Sequence, residues 1–266
     1  MIFDRAFFGD AGTYTLPLTG SYTLTIGAPD NDTVGPYSFR LWDVPDPDVF
    51  DISIAEVVSV GSPGPGAGHI ESPGREDIYH FEGTAGQRIF GDQLSGATTG
   101  WDWILVAPNG LSVFDRAFFG DAGTYTLPLT GTYTLTIGDP TNQTVGTYSF
   151  RILNVPDSDV FDISLGDVVS DGSPLPGAGN IESPGRQDIY HFDATAGQVI
   201  FGDLISGGTT GWDWRLVAPN GIVVFDRAFF GDAGTYTLFQ TGTYTLTIGD
   251  PTNDQVGAYS FALVPQ

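Results

Sequence analysis

"FDRAFFGDAGTYTL", residues 3–16, occurs again unchanged at residues 114–127 and a third time at residues 225–238. Both steps are 111 residues. A spacing kept without slippage is an internal repeat, and a unit of this length is a module with a core of its own. Within the stretch, "FDRAFF" and "TYTL" read as strands and the Gly-Asp-Ala-Gly between them as a turn.

The rest of the chain has the same texture. Gly (37) and Pro (18) are spread through 266 residues, with Val, Ile, Thr, Tyr and Phe between them. Hydrophobic residues make up 41%, enough for packed cores. No helical period lasts beyond a turn or two. The expected class is all-β: tandem jelly-roll-like β-sandwich modules on a 111-residue repeat.

Charge narrows the partners. There are 32 acids, 27 of them Asp, against nine bases, all Arg. A net charge of −23 repels phosphate backbones and anionic lipid surfaces, which argues against nucleic acid and membrane partners. Three causes fit the acidity: the turn preference of Asp, oxygen ligands for Ca²⁺, and a surface suited to high salt. With no Cys, no disulfide staples the modules. No apolar run approaches the roughly 18 residues of a membrane-spanning helix. The opening Met-Ile-Phe-Asp-Arg is not a signal peptide, so an exported protein is expected to carry its signal upstream.

The repeat period does not by itself place the boundaries. "VPDPDVFDIS" (44–53) recurs as "VPDSDVFDIS" (155–164) and reads as a linker leading into a strand, "DISIAEVV". The complete modules are then 47–155 and 158–266, and residues 1–44 are the second half of a third. In the first complete module the strands read "DIYHFEG", "QRIFGDQ", "WDWILVA", "SVFDRAFF", "TYTLPL", "TYTLTIG" and "GTYSFRI". Alternation places Tyr79 and Phe81 inward, Ile78 and His80 outward.

Taken in order, "DIYHF" (77–81), "TAGQRIF" (84–90), "WDWILVAPNG" (101–110), "LPLTGTYTLTIG" (127–138) and "GTYSFRI" (146–152) resemble the bacterial pre-peptidase C-terminal domain. The resemblance covers both complete modules and the leading half. It implies a compact sandwich of jelly-roll type, a non-catalytic appendage of secreted peptidases or a repeated module of bacterial surface proteins, with Ca²⁺ or an extracellular polymer as ligand in some relatives. One departure touches the cation: Ala107 and Ala218 stand where that family often has an acid before Pro-Asn-Gly.

No catalytic constellation appears. His69 is matched by Asn180 one period on, and His80 and His191 hold equivalent strand positions. There is no Gly-x-Ser-x-Gly elbow and no His-Glu-x-x-His. The expectation is a protein that is not an enzyme. For Ca²⁺ there is no EF-hand loop. The candidate ligands are Asp139 and Asn142 in "GDPTNQTVG", Asp250, Asn253 and Asp254 in its counterpart, and two acid pairs flanking a Pro-Gly turn, Glu71 with Asp77 and Glu182 with Asp188. The plainer reading is that the Asx residues cap their own turns. The pairs Trp101/Trp103 and Trp212/Trp214 each share one strand face. Because the opposite face accepts Ile104 in one module and Arg215 in the other, the Trp face is expected in the core.

Two expectations concern pairing. In the Pro-Asn-Gly hairpin, a type I turn with a bulged Gly sets Asp102 opposite Arg116 and Asp213 opposite Arg227. A two-residue Asn-Gly turn would instead set Ile104 opposite Asp115 and Arg215 opposite Asp226. The first is preferred because it pairs the Arg of the opening motif with an acid. Residues 1–44 lack the first half of their sandwich, so they are expected to expose apolar side chains and to be completed by another polypeptide through strand addition. The whole is read as part of a structural or adhesive array, secreted or on the cell surface, whose partners are other copies of the repeat. The alternative is a substrate- or polymer-binding accessory module of an exported hydrolase.

Overall fold

The computed structural model describes residues 1–7, 9–27, 30 and 32–266. Among the described residues the regular structure is all strand. The first complete repeat carries β1 (Asp48–Asp51), β2 (Val57–Val58), β3 (His69–Ile70), β4 (Glu76–Gly83), β5 (Arg88–Ser95), β6 (Asp102–Val106), β7 (Ser112–Ala117), β8 (Gly123–Thr126), β9 (Gly131–Gly138), β10 (Gly146–Thr147) and β11 (Ser149–Asn154). The second repeats the order as β12 (Asp159–Asp162), β13 (Val168–Val169), β14 (Asn180–Ile181), β15 (Asp188–Ala194), β16 (Val199–Ser206), β17 (Asp213–Val217), β18 (Val223–Ala228), β19 (Gly234–Thr237), β20 (Gly242–Gly249), β21 (Gly257–Ala258) and β22 (Ser260–Pro265).

Each set builds two main sheets and a small ribbon. The five-stranded sheet runs β1-β4-β9-β6-β7 and the four-stranded sheet β2-β11-β5-β8, with β3-β10 as the ribbon. In the second set the orders are β12-β15-β20-β17-β18, β13-β22-β16-β19 and β14-β21. By packing the chain forms two compact units: residues 1–83, 93–120 and 129–151, and residues 84–92, 121–128 and 152–266. Unit 2 thus holds the second repeat together with all of β8, most of β5 and the end of β11.

The cores follow from alternation. In β4, Tyr79 and Phe81 are buried while Ile78 and His80 are half-buried. Tyr79 meets Phe150 of the other sheet edge-on at 5.1 Å, and Trp103 reaches the same ring at 6.4 Å. The counterparts in unit 2 are Tyr190–Phe261 at 5.1 Å and Trp214–Phe261 at 6.5 Å. All four paired Trp lie in the core, as the alternation requires.

Three expectations are corrected. The Pro- and Asp-rich stretch 44–53 is not only a linker: β1 within it joins β4 in parallel, Val49 opposite Ile78. "DISIAEVV" is not one strand, for the chain turns at Ser53, where the Glu56 carboxylate accepts the Ser53 N–H at 2.9 Å. That turn sends β1 to one sheet and β2 to the other.

The third correction is the hairpin register. The turn is the expected one: Gly110, at φ 83°, donates its N–H to the Ala107 carbonyl at 2.8 Å. Yet Trp103, not Asp102, stands opposite Arg116, and Ile104 opposite Asp115; in unit 2 Trp214 faces Arg227 and Arg215 faces Asp226. The reason is a second irregularity. Val106 pairs with Ser112 but Leu105 with Phe114, so Val113 is an extra residue that moves every later pair by one. A bulge sets two residues of one strand against one of its partner, and here it keeps Phe114 on the buried face opposite Leu105.

Residues 1–44 form no strand among those described. Leu16, Leu24 and Phe39 are 57%, 43% and 53% exposed, whereas their equivalents one period on, Leu127, Leu135 and Phe150, are each at 0%. A local motif survives regardless: the Tyr22 hydroxyl donates to the Leu18 carbonyl at 2.6 Å, as Tyr133 does to Leu129 at 2.7 Å. The leading segment does not close into a module of its own.

Candidate functional site

Each acid pair expected to flank a Pro-Gly turn is divided between two environments. Glu71 is bound by the Arg75 guanidinium, whose other arm holds Asp48 at 2.6 Å and whose Nε donates to the Asp46 carbonyl at 3.2 Å. Arg186 holds Glu182 and Asp159 in the same way. A guanidinium therefore fills the space between these carboxylates. Asp77 instead lies fully buried at the end of a chain of hydrogen bonds. The Gly68 N–H donates to Tyr79 at 3.1 Å, the Tyr79 and Tyr148 hydroxyls meet at 2.7 Å, and Tyr148 donates to Asp77 Oδ2 at 2.5 Å. Asp188 ends the same chain through Tyr259 and Tyr190. Burial pushes Asp77 and Asp188 up to about 7, against the lowering effect of the Tyr hydrogen bond.

The Asx loops close on themselves. Asp139 Oδ1 accepts the Thr141 N–H and hydroxyl, both at 2.7 Å, and Asn142 Oδ1 accepts the Thr144 N–H at 2.8 Å and its hydroxyl at 2.6 Å. Asp250 does the same with Thr252, and Asn253 accepts the Gln255 N–H at 2.8 Å. These are Asx turns, the plainer of the two readings. Their effect is to present a carbonyl, that of Pro251 to the edge of β8 and that of Pro140 to the equivalent Thr13 of the leading segment.

Those carbonyls are used twice, one period apart. In unit 2 the Thr124 N–H on β8 donates to Pro251 at 2.9 Å, and the Thr124 hydroxyl donates to the Gly185 carbonyl at 3.3 Å. In unit 1 the Thr13 N–H donates to Pro140 at 3.1 Å and its hydroxyl to the same oxygen at 2.6 Å. Thr13 is the residue 111 before Thr124, as Pro140 is before Pro251. Gly185, at φ +71°, allows the approach: a Cβ there would run into Thr124 Oγ1 and come within 2.7 Å of Phe90. Gly74, at φ +74°, holds the same place under Thr13.

Beside each contact lies an acid. In unit 1, Gln143 Nε2 donates to Asp10 Oδ2 at 2.6 Å. In unit 2 Asp254 replaces the amide and Asp121 replaces Asp10, with Asp92 added. One carboxylate oxygen from each lies within 4.8 Å of the others. Asp92 is buried, Asp121 half-buried and Asp254 exposed. Of the expected cation ligands only Asp254 enters this cluster. Asp92 and Asp121 carry no local signal, since only folding brings "FGDQ", "GDAG" and "PTND" together. A hard divalent cation, with its taste for carboxylate oxygen, suits such a set.

The three His are half-buried beside an acid: His80 faces Asp51 at 3.8 Å, His191 faces Asp162 at 3.9 Å, and His69 lies 3.8 Å from Glu71. Asp102, once expected to pair with Arg116, has its carboxyl pushed up by burial and then by Asp115 and Asp139; Asp213 is pushed up by burial and then by Asp250 and Asp226.

No family model matches the sequence, and no curated protein matches it. Among solved structures, the periplasmic inhibitor of g-type lysozyme from Aeromonas hydrophila, PliG, is 13% identical, covering 41% of this chain and 99% of that one, with a TM-score of 0.32. The CUB1-EGF-CUB2 domain of human MASP-1/3 is 8% identical, covering 79% and 99%, with a TM-score of 0.27. Likenesses this low assign no function. Among the described residues no helix is long and apolar enough to cross a membrane.

Proposed function

We propose that the chain is a stretch of a non-catalytic array of β-sandwich repeats, a structural or adhesive part of a secreted or cell-surface protein, in which each repeat docks its β8-type edge on the Pro-Thr-Asn loop of the next. This is the role that the resemblance to the pre-peptidase C-terminal domain leads one to expect. The observation that carries it is the contact made at Thr13–Pro140 and again at Thr124–Pro251, by residues a full period apart. A contact that recurs with the repeat can be continued by every further copy, which is how stacked repeats gain stability from their neighbours. Ca²⁺ at Asp92, Asp121 and Asp254 would clamp the second contact, where carboxylates replace the hydrogen-bonded amide of the first.

Thermal unfolding tests both parts. Thr124→Pro removes the N–H that Pro251 accepts and is expected to lower the melting temperature by several degrees; an unchanged midpoint would refute the docking role. Ca²⁺ at ten times its dissociation constant is expected to stabilise by about 1.4 kcal/mol. The gain should exceed that from Na⁺ at equal ionic strength and vanish in Asp254→Gln. Equal responses to the two ions would remove the cation from the proposal.

A further inference from the structure

A hollow lies on the outer face of the five-stranded sheet of unit 2, where Asp213 and Arg215 alternate with the buried Trp214. Gly249 of β20 stands opposite Asp213 of β17 and, lacking a side chain, leaves a gap in that row. The next row sets Thr247 and Asp226 on either side of Arg215. Gln187 and the Asp250-Pro251 turn close the remaining sides, and the hollow measures about 240 Å³. At about 30 Å³ for each water, that is the room of about eight waters, enough for one sugar ring. Its walls carry both halves of a hydrogen-bonding pattern. Asp213, Asp226 and Asp250 accept, while the Arg215 guanidinium and the Gln187 amide donate. Arg215 lies 3.3 Å from Asp226 in an exposed pair, and Gln187 Nε2 donates to the Gly249 carbonyl at 3.3 Å.

The first repeat is a built-in control. Of the eight residues that line the hollow, six are the same one period earlier, and the two that differ are its donors: Glu76 stands for Gln187 and Ile104 for Arg215. Both exchanges move charge in one direction, from four acids without a base to three acids with one. The fold requires neither, since the two sheets have the same strand order with either set. We infer that the hollow of the second repeat binds one ring of an uncharged polysaccharide, whose hydroxyls donate to Asp213 and Asp226 and accept from Arg215 and Gln187. Three carboxylates repel an acidic polymer, and the guanidinium opposes a cation in the same space. Neighbouring hydroxyls, which donate and accept at once, match both kinds of wall. The Asp213 carboxyl is pushed up by burial and then by Asp250 and Asp226, so a donor brought to it relieves a strained charge. The ligand gives an adhesive array something to hold, and its site is separate from the contact made by Thr124.

Calorimetric titration of the full chain with dextran, mannan, galactan and xylan tests the inference, at about 0.15 M salt so that the net charge is screened. Saturable binding to at least one of these neutral polymers is expected. Arg215→Ile with Gln187→Glu gives the second hollow the residues of the first. It removes a charge-assisted donor from the ligand and should weaken binding about tenfold or more, with native tryptophan emission. The reverse exchange, Ile104→Arg with Glu76→Gln, should add a second site to the native chain. Polygalacturonate, an acidic polymer, should not bind. Absence of binding to all four neutral polymers overturns the inference. So does binding that is unchanged in Arg215→Ile with Gln187→Glu, or that is as tight for polygalacturonate. Each of these failures leaves the array reading standing if Thr124→Pro still lowers the melting midpoint; loss of that effect fails the array and not the hollow.

Discussion

Asp77 makes stability depend on pH in a direction that can be worked out. Its carboxyl sits near 7 in the folded chain against an ordinary 3.8. Between those values the folded protein keeps a proton that the unfolded chain has lost. Stability therefore falls as pH rises through the window, and the penalty is complete above about pH 7. At 1.36 kcal/mol for each unit, three units correspond to about 4 kcal/mol at most. Asp77→Asn is neutral throughout and removes the dependence. Its amide can still accept from Tyr148, but it leaves a buried N–H₂ where Asp77 Oδ1 now has no hydrogen-bond partner. That defect costs about 1–3 kcal/mol at every pH. The informative quantity is thus the variant's stability relative to wild type at pH 8 minus that at pH 4, expected to favour the variant by about 2–4 kcal/mol. Urea unfolding followed by tryptophan emission, at fixed ionic strength, measures it. A difference under about 1 kcal/mol would mean that the carboxyl is ionised in the fold at both pH values, and would refute the reasoning.

Three further outcomes are expected. Gly185→Val forces a Cβ against Thr124 and Phe90 at a positive φ, and should destabilise by about 2 kcal/mol or more in chemical denaturation; a smaller loss would show that the contact yields. Arg215→Ala breaks an exposed pair, 3.3 Å from Asp226, and should change stability by less than about 1 kcal/mol, with the effect shrinking in salt. Trp214→Ala empties a fully buried site and should cost about 3–5 kcal/mol, far more than any surface change on the same strand.

The sequence alone was enough for whatever is decided within a few residues. Alternation put Trp101 and Trp103 on one face and Ile104 on the other, and both Trp are in the core. The Asx loops and the Pro-Asn-Gly turn follow from the side chains in them. Long-range arrangement was not legible. The bulge at Val113 shifted a register that the turn alone had set otherwise, because burial of Phe114 outweighs an exposed ion pair worth under about 1 kcal/mol. Glu71, expected to offer its oxygens to a cation, gave them to Arg75. Asp92, Asp121 and Asp254 meet only because folding carries an edge to a loop more than 120 residues along the chain. Leu24 and Leu135 stand in the same words, "SYTLTIG" and "TYTLTIG", one exposed and one buried. A residue's type says that burial is favourable, but the surface that buries it comes from elsewhere in the structure.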